Sequence, residues 1–237
     1  MREVAAAGLR DLAATTSVPF VRHTAGPATY DVAWERGDAV LVHGAHHTVG
    51  LGPAEDLGPL MAALADRFVP ARLTVEEAAY GAVPAAWAYD VRGHWHWMRT
   101  TEPAPPPTVP LERVDDADAV DAVLDVAQPD TFGRPGTLGI EGWLGVRVEG
   151  RLVGVGAVRR DPDGSGHLRA VSVLPGATGR GLGLALSQGL TRWAMDRPPQ
   201  VATLGVYTDN APALRIYERL GYRTEHTFCS GPLSSPS

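Results

Sequence analysis

Five prolines lie within the eleven residues from Thr100 to Pro110, and this segment constrains the fold more than any other. Because proline lacks a backbone N–H and fixes φ, such a stretch cannot continue a helix or form a central strand. The sequence therefore predicts an extended, polyproline-like linker over residues 101–110. It separates an N-terminal domain, residues 1–100, from a C-terminal domain, residues 111–237, and each is long enough to fold around its own core.

The charge and composition exclude several classes of function. A net charge of −6 argues against a nucleic-acid partner, because phosphate binding requires a basic surface. The chain contains no lysine, so no lysine nucleophile or Schiff base can form. The single cysteine, Cys229, excludes an intrachain disulfide and fits a reducing compartment. No apolar run approaches 18 residues and the N-terminus lacks the apolar core of a signal peptide, so we expect a cytoplasmic protein without a membrane partner.

The C-terminal domain shows the alternation of helix and strand patterns that is typical of a mixed α/β fold. Helical spacing of apolar residues occurs over 116–127, 182–193 and 211–220, the last with Asn210 as its cap and Gly221 as its end. Strand patterns occur at 143–148, 151–158, 167–173 and 202–207. Because the first two strands flank a Glu-Gly turn, they form a hairpin. We therefore predict a mixed, mostly antiparallel sheet flanked by helices.

The N-terminal domain has weaker signals. Ala39–Val42 has the composition of a strand, and 53–68 has the periodicity of a helix. Three tryptophans, Trp87, Trp95 and Trp97, are expected in packed strands. The sequence thus predicts a second, divergent α/β domain.

A glycine-rich segment, Val173-Leu174-Pro175-Gly176-Ala177-Thr178-Gly179-Arg180-Gly181-Leu182-Gly183, joins a predicted strand to a predicted helix. Glycine lets the backbone approach a ligand closely, and the free amides at a helix N-terminus favour an anion. Arg180 adds a positive charge. The segment therefore predicts a phosphate or pyrophosphate ligand. A Walker loop is excluded by the absence of lysine, and the Gly-x-Gly-x-Gly spacing differs from the dinucleotide fingerprint.

A second motif, Asn210-Ala211-Pro212-Ala213-Leu214-Arg215-Ile216-Tyr217-Glu218-Arg219-Leu220-Gly221-Tyr222, follows the next strand. Together the two motifs resemble those of the GNAT N-acetyltransferase superfamily, over residues 111–228. The loop departs from the family pattern at its first position, where Thr178 replaces the usual Arg or Gln.

The resemblance implies acetyl-CoA as co-substrate, no metal, and a role for each matching residue. Val171 and Val173 would offer backbone groups to the acetyl carbonyl and the pantetheine arm. Thr178, Gly179, Arg180, Gly181, Leu182 and Gly183 would hold the pyrophosphate. Asn210 would contact the coenzyme arm, and Tyr217 would protonate the departing thiolate.

His167 is the candidate general base, because a catalytic Glu of the histone acetyltransferase branch aligns with this position. Strand alternation predicts that His167, Arg169, Val171 and Val173 share one side and face the acyl group. An unperturbed imidazole pKa of about 6.5 suits a base near neutral pH. Glu141 and an ordered water are the alternatives, and a solvated strand end is the non-catalytic interpretation.

Other chemistry-bearing residues have weaker patterns. The spacing of His43, His46 and His47 matches no zinc template, and Cys229 lies in no nucleophile motif. Surface or structural histidines and a semi-buried thiol are therefore expected.

The favoured function is acetyl transfer from acetyl-CoA to a primary amine of a small molecule or amino acid. The alternatives are a protein acetyltransferase acting on a lysine or an N-terminal amine, and a non-catalytic acyl-CoA-binding module. Residues 1–100 resemble the divergent half of glycine acyltransferase-like members, although they contain no coenzyme loop. That half would shape the acceptor pocket or form the contact of a homodimer.

Overall fold

The computed structural model describes residues 1–26 and 28–233, which form two compact units. The first contains Met1–Trp97 and the C-terminal residues from Glu225 onward, and the second contains Met98–Thr224. This division differs from the predicted 1–100 and 111–237, of which residues 234–237 lie outside the described part. The reason is that the last strand leaves the second unit and pairs with a strand of the first.

The first unit is a mixed α/β structure. Its elements, in chain order, are β1 (Arg2–Ala5), α1 (Leu9–Thr15), α2 (Pro19–Thr24), β2 (Val32–Arg36), β3 (Ala39–Gly44), β4 (His47–Leu51), α3 (Ala54–Ala65), β5 (Arg72–Glu76) and β6 (Gly93–Thr100), whose last three residues belong to the second unit.

The second unit has the same kind of elements. They are β7 (Glu112–Arg113), α4 (Ala117–Ala127), β8 (Ile140–Val148), β9 (Arg151–Arg160), β10 (Gly166–Val173), α5 (Leu182–Ala194), β11 (Ala202–Tyr207), α6 (Ala211–Arg219) and β12 (Arg223–Pro232), which ends in the first unit. No helix among the described residues combines the length and apolar character needed to cross a membrane.

The sheet of the second unit runs in the order β7-β8-β9-β10-β11 and is antiparallel except for the β10–β11 pair. Helix α4 packs on one face through Val123 and Leu124 against Val155 and other residues of β9. Helices α5 and α6 pack on the other face, where Leu186, Leu190 and Tyr217 form a core with β11. The predicted mixed, mostly antiparallel sheet flanked by helices is confirmed.

Local signals explain where these elements begin and end. The carboxylate of Asp116 accepts a hydrogen bond from the Ala119 amide at 3.0 Å, which caps α4. Glu149 and Gly150 adopt φ values of 51° and 78°, as a tight hairpin turn requires. Gly221, with φ of 82°, ends α6 in the left-handed conformation that was predicted for it.

The proline-rich segment packs on the second unit. Ala104 is buried in the α5–α6 core, and its carbonyl accepts a hydrogen bond from Arg192 of α5 at 3.1 Å. A Cβ built on Gly189 would lie 2.3 Å from Leu111 Cδ1, so the helix needs glycine there to admit the leucine. Ala104 and Leu111 thus hold the segment and the residue that follows it against α5.

The first unit repeats the element order of the second. In both, one strand and helical segments precede three antiparallel strands, and a helix then leads to a parallel fourth strand, β4–α3–β5 or β10–α5–β11. Its sheet runs β1-β2-β3-β4-β5-β12-β6. Trp95 and Trp97 lie in β6 as predicted. The prediction of a strand at Trp87 is wrong, because this residue ends a 3-10 turn over Ala85–Trp87.

Candidate active site

Strands β10 and β11 separate part of the way along the sheet of the second unit. In the described register, Gly166–Leu168 pair with Ala202–Leu204, but the two strands continue to Val173 and Tyr207. Parallel strands that stop pairing leave backbone groups on both edges available to a third component. We name this opening, between 169–173 and 205–207, the fork.

A β-bulge lies at the fork. Arg169 pairs with Ala157 of β9, and Ser172 pairs with Val155, so β10 contains one residue more than its partner. Ala170 takes the positive φ of 49° that this extra residue requires. The bulge reverses the alternation of side chains along β10.

The reversal changes which residues share a face. His167 and Arg169 lie on the α4 face with Ala157, whereas Val171 packs on the α5 face, with its Cγ2 3.4 Å from a Cβ built on Gly156. The prediction that His167, Arg169, Val171 and Val173 share one side is therefore wrong. The alternation rule holds only for an unbroken strand, and the bulge interrupts it.

The glycine loop follows directly after β10 and opens α5. Gly179 and Gly181 both have φ of 76°, and a Cβ built on either would meet nothing within 4 Å. Gly181 is the N-cap residue and no side chain caps the helix, so the first amides of α5 have no side-chain acceptor. Arg180 and Thr178 are exposed beside them. The loop has the space, the free donors and the positive charge that a pyrophosphate group needs.

Thr178 and Asn210 each have one polar atom engaged locally. The Thr178 hydroxyl donates to the Pro175 carbonyl at 2.9 Å, so its proton stays within the loop. The Asn210 side-chain oxygen accepts from the Ala213 amide at 3.2 Å and caps α6. The amide nitrogen of Asn210, on an exposed side chain, is the atom that can donate to a ligand.

Tyr217 lies on α6 and is buried on the α5 face of the sheet of the second unit. Burial raises the pKa of its hydroxyl to about 12, and a hydrogen bond with Ser187 of α5 opposes the rise. Its ring packs edge-on against Tyr222, with the centroids 5.7 Å apart. Tyr217 therefore keeps its proton at neutral pH, and in a proton transfer it can act as the donor.

The α4 face of the fork carries a cluster of ionisable residues. His167 is buried, and its Nδ1 lies 2.8 Å from Thr203 Oγ1. Burial lowers the pKa of His167 well below its ordinary value, and Arg159 and Arg169 lower it further. The buried carboxylate of Asp161 accepts two hydrogen bonds from Arg159, at 2.6 and 3.0 Å. The histidine is therefore neutral, and one of the two guanidinium groups is paired.

Glu141, the alternative base, is engaged in ion pairs. Its carboxylate accepts a hydrogen bond from Arg160 at 2.5 Å and another from Arg197. Both oxygens of this carboxylate are therefore engaged by guanidinium groups.

Two of the histidines considered as metal ligands, His43 and His47, instead form hydrogen bonds within the first unit. His43 contacts Thr48 at 2.7 Å, and His47 contacts Thr74 at 2.8 Å. Among residues 1–26 and 28–233, no three His, Cys, Asp or Glu side chains lie close enough together to hold a metal ion. Cys229 is buried, and its sulfur lies 3.1 Å from the Tyr89 hydroxyl.

The fork includes two residues to which sequence reasoning gave no role. Arg169 is half-buried at the bulge, and Tyr207 is 54% exposed at the end of β11. The available signal was a charged residue within the apolar strand 167–173. It could not be interpreted without knowing on which face it lies.

The corresponding place in the first unit is built differently. After β4 the chain continues as Gly52-Pro53 into α3, whose first turn contains Glu55 and Asp56. The Glu76 carboxylate accepts a hydrogen bond from the Gly52 amide at 2.7 Å. Acidic side chains at a helix N-terminus repel a phosphate, so the start of α3 lacks the anion-binding features of the start of α5.

Comparisons with known proteins agree with this geometry. The model of the acetyltransferase (GNAT) family matches residues 95–222. The mycothiol acetyltransferase of Thermomonospora curvata is 39% identical over 74 residues, which cover 31% of this chain and 25% of the relative. The match thus spans about a quarter of that relative's length.

Solved structures share the fold at low sequence identity. A GCN5-related N-acetyltransferase from Kribbella flavida superposes with a TM-score of 0.59 at 17% identity, over 96% of both chains. A tandem GNAT protein from the clavulanic acid biosynthesis pathway gives a TM-score of 0.52 at 13% identity, over 99% of this chain and 98% of that one. Because the family model matches more than half of the sequence, this chain belongs to the GNAT acetyltransferase family.

Proposed function

We propose that the chain transfers an acetyl group from acetyl-CoA to a primary amine of a small molecule or amino acid, at the fork of the second unit. One observation carries the proposal. The glycine loop 178–183 opens α5 directly after β10, on the face where Val171, Val173 and Tyr217 lie. A glycine loop suited to a pyrophosphate and a buried tyrosine hydroxyl thus lie on the same face of the sheet, which supports the proposal.

The loop fits the coenzyme by shape and charge. The open space before Gly179 and Gly181 admits an oxygen-rich group, and Arg180 with the first amides of α5 can neutralise it. Val171 and Val173 then lie where a flexible arm would pass along the edge of β10. Asn210 can donate to that arm through its amide nitrogen.

Acetyl-CoA supplies an acetyl group activated as a thioester. We expect backbone donors of the bulge, near Val171, to hydrogen-bond the carbonyl oxygen as negative charge develops on it. Tyr217 would give its proton to the departing sulfur, since its raised pKa keeps the hydroxyl protonated until then.

The acceptor amine would approach from the opposite face. Thr203, Gly205 and Tyr207 alternate with the buried α5-face residues of β11, and Gly205 and Tyr207 are exposed. An amine must lose a proton to attack, and His167 on this face stays the predicted base with water as its rival. The burial of His167 favours water.

We also propose that the first unit is a divergent copy of the same fold that holds no coenzyme. The repeated element order supports the copy, and the acidic first turn of α3 supports the lack of a pyrophosphate site.

A protein acetyltransferase is the second candidate. The curated relatives bear the name mycothiol acetyltransferase, which favours a small-molecule acceptor. A non-catalytic binding module would have no use for a proton donor at Tyr217.

The test is an acceptor screen in which released thiol is measured after mixing the protein with acetyl-CoA. We expect turnover with members of a panel of small amines and amino acids, and little with peptides that offer a lysine or an N-terminal amine. Turnover with peptides alone would favour the protein acetyltransferase. Binding of acetyl-CoA without thiol release from any acceptor would favour the binding module.

A further inference from the structure

Arg169 lies at the fork on the face that the proposed function leaves for the acceptor. Its strand partner is Ala157, and it immediately precedes the bulge. A Cβ built on Gly133 would lie 3.4 Å from Arg169 Cβ and 3.5 Å from its Nε, so the loop between α4 and β8 packs against the stem of the arginine. The side chain is half-buried, with Tyr207 across the fork.

The guanidinium of Arg169 has no acidic partner in hydrogen-bond or ion-pair contact within the described ranges 1–26 and 28–233. The nearby carboxylate is that of Asp161, and Arg159 engages it with two hydrogen bonds. His167 adds no charge, because it is buried and neutral. The charge of Asp161 acts on Arg169 as well as on Arg159. The cluster of these three side chains therefore carries one positive charge in excess.

A half-buried arginine without a partner is unfavourable unless something supplies negative charge. Burial lowers the pKa of Arg169 to about 10, Arg159 lowers it further, and Asp161 and Tyr207 oppose the change. The group is still charged at neutral pH. The planar guanidinium group of Arg169 offers parallel N–H donors, and a carboxylate can accept hydrogen bonds from two of them at once.

We infer that the acceptor is an amine that carries a carboxylate, and that Arg169 binds this carboxylate while the amine reaches the fork. That the acceptor is an amine is taken from the proposed function, on which this inference rests. A single uncompensated positive charge matches a monoanion better than a phosphate, which would need more. Arg169 is then the residue that makes acids preferred over neutral amines of the same size.

The first test compares amino acids with their carboxamides in the thiol-release assay. The parent should turn over the acids with a kcat/KM at least about tenfold above that of the amides, and Arg169→Gln should lose this preference by slowing the acids alone. Arg169→Lys should restore part of it as a point charge. Arg151→Gln is the matched control, because Arg151 is exposed at the β8–β9 turn and its loss removes the same charge. Equal rates for acids and amides in the parent would overturn the inference, as would an equal loss for both in Arg169→Gln.

The second test separates this inference from the proposed function. Calorimetric titration with N-acetyl amino acids and their amides needs no turnover. The parent should bind the acids at least about tenfold more tightly, and Arg169→Gln should bind both alike with an unchanged affinity for acetyl-CoA. A preference for acids that survives in Arg169→Gln, or no preference in the parent, overturns the role of Arg169. A parent protein that does not bind acetyl-CoA would instead contradict the proposed function.

Discussion

Tyr217 and His167 are buried side chains on opposite faces of one sheet. Burial raises the pKa of Tyr217 and lowers the pKa of His167, so it favours the neutral form of each. For Tyr217 the neutral form is the proton donor and is present at neutral pH, but the raised pKa also makes the hydroxyl a weaker acid. For His167 the neutral form is the acceptor, but the same burial makes it a weak base. At the scale of single residues, burial therefore leaves each group in the protonation state that its role needs and weakens each as an acid or a base.

Tyr217→Phe is expected to lower kcat by roughly 10²–10⁴-fold, as loss of a general acid does, and to leave the Kd for acetyl-CoA unchanged. The hydroxyl is needed only as the sulfur departs, so its removal affects the transition state. Rapid-quench kinetics and calorimetry measure the two quantities. Tyr222→Phe is the control, because Tyr222 is also buried and its hydroxyl contacts Thr191 at 2.9 Å. That variant should lose about 1 kcal/mol of stability and keep its turnover; similar kcat values for both variants would assign Tyr217 to the core.

The lowered pKa of His167 predicts how stability depends on pH. Below about pH 6.5 the unfolded imidazole binds a proton that the buried one refuses, so the free energy of unfolding falls as the pH falls. Between pH 7 and pH 5 this group therefore contributes a loss of stability, which His167→Gln should remove. Urea denaturation of parent and variant at both pH values measures it.

His47 provides a second arm of that experiment, in the first unit. Burial lowers its pKa to about 4, so His47→Gln should also flatten the pH dependence of unfolding. If the free energy of unfolding falls equally between pH 7 and pH 5 in the parent and in His167→Gln, then His167 binds protons in the folded state. It would then return as a candidate base.

Helix starts are the element-scale features that serve both folding and binding. Asn210 caps α6 with its side-chain oxygen and offers its amide nitrogen to the coenzyme arm. Asn210→Asp keeps a good cap but replaces the donor by a negative charge. It should keep the stability of the parent and raise the Kd for acetyl-CoA at least about tenfold.

Asn210→Ala should raise the Kd and also cost about 1 kcal/mol of stability, because it loses the cap as well. Thermal unfolding and calorimetry separate the two effects. Asp116→Asn, at the start of α4, is the control, since it exchanges one good cap for another away from the loop. A coenzyme affinity that is unchanged in Asn210→Asp would confine Asn210 to its role as a cap.

The elements with local signals could be predicted, and those that depend on distant contacts could not. The capping residue Asp116 and the spacing of apolar residues predict helix α4, and β11 occupies the predicted residues 202–207. The bulge at Ala170 has no such signal, because alanine rather than glycine adopts the positive φ there. Consequently the position of the glycine loop at the start of α5 could be predicted from the sequence, whereas the face of His167 was assigned wrongly and Arg169 received no role.

At the scale of the whole molecule, the described residues form two units with the same element order, and the second contains the glycine loop. Strand β12 leaves the second unit and pairs with β5 of the first, a long-range exchange that no local pattern encodes. We propose that the second unit alone holds the coenzyme, since the first turn of α3 is acidic where α5 begins with glycines. One molecule of acetyl-CoA should therefore bind to each chain.

Calorimetric titration of acetyl-CoA into three forms of the full chain tests this claim most directly. The parent should bind one molecule per chain, and Gly181→Glu should bind at least about tenfold more weakly, because a carboxylate would face the pyrophosphate. Gly150→Glu is the matched control: Gly150 also has a positive φ, 78°, and open space around it, but lies in the β8–β9 turn. It should bear the same backbone strain and keep the parent's affinity. Equal affinities for parent and Gly181→Glu, or two molecules bound per chain, would contradict the account.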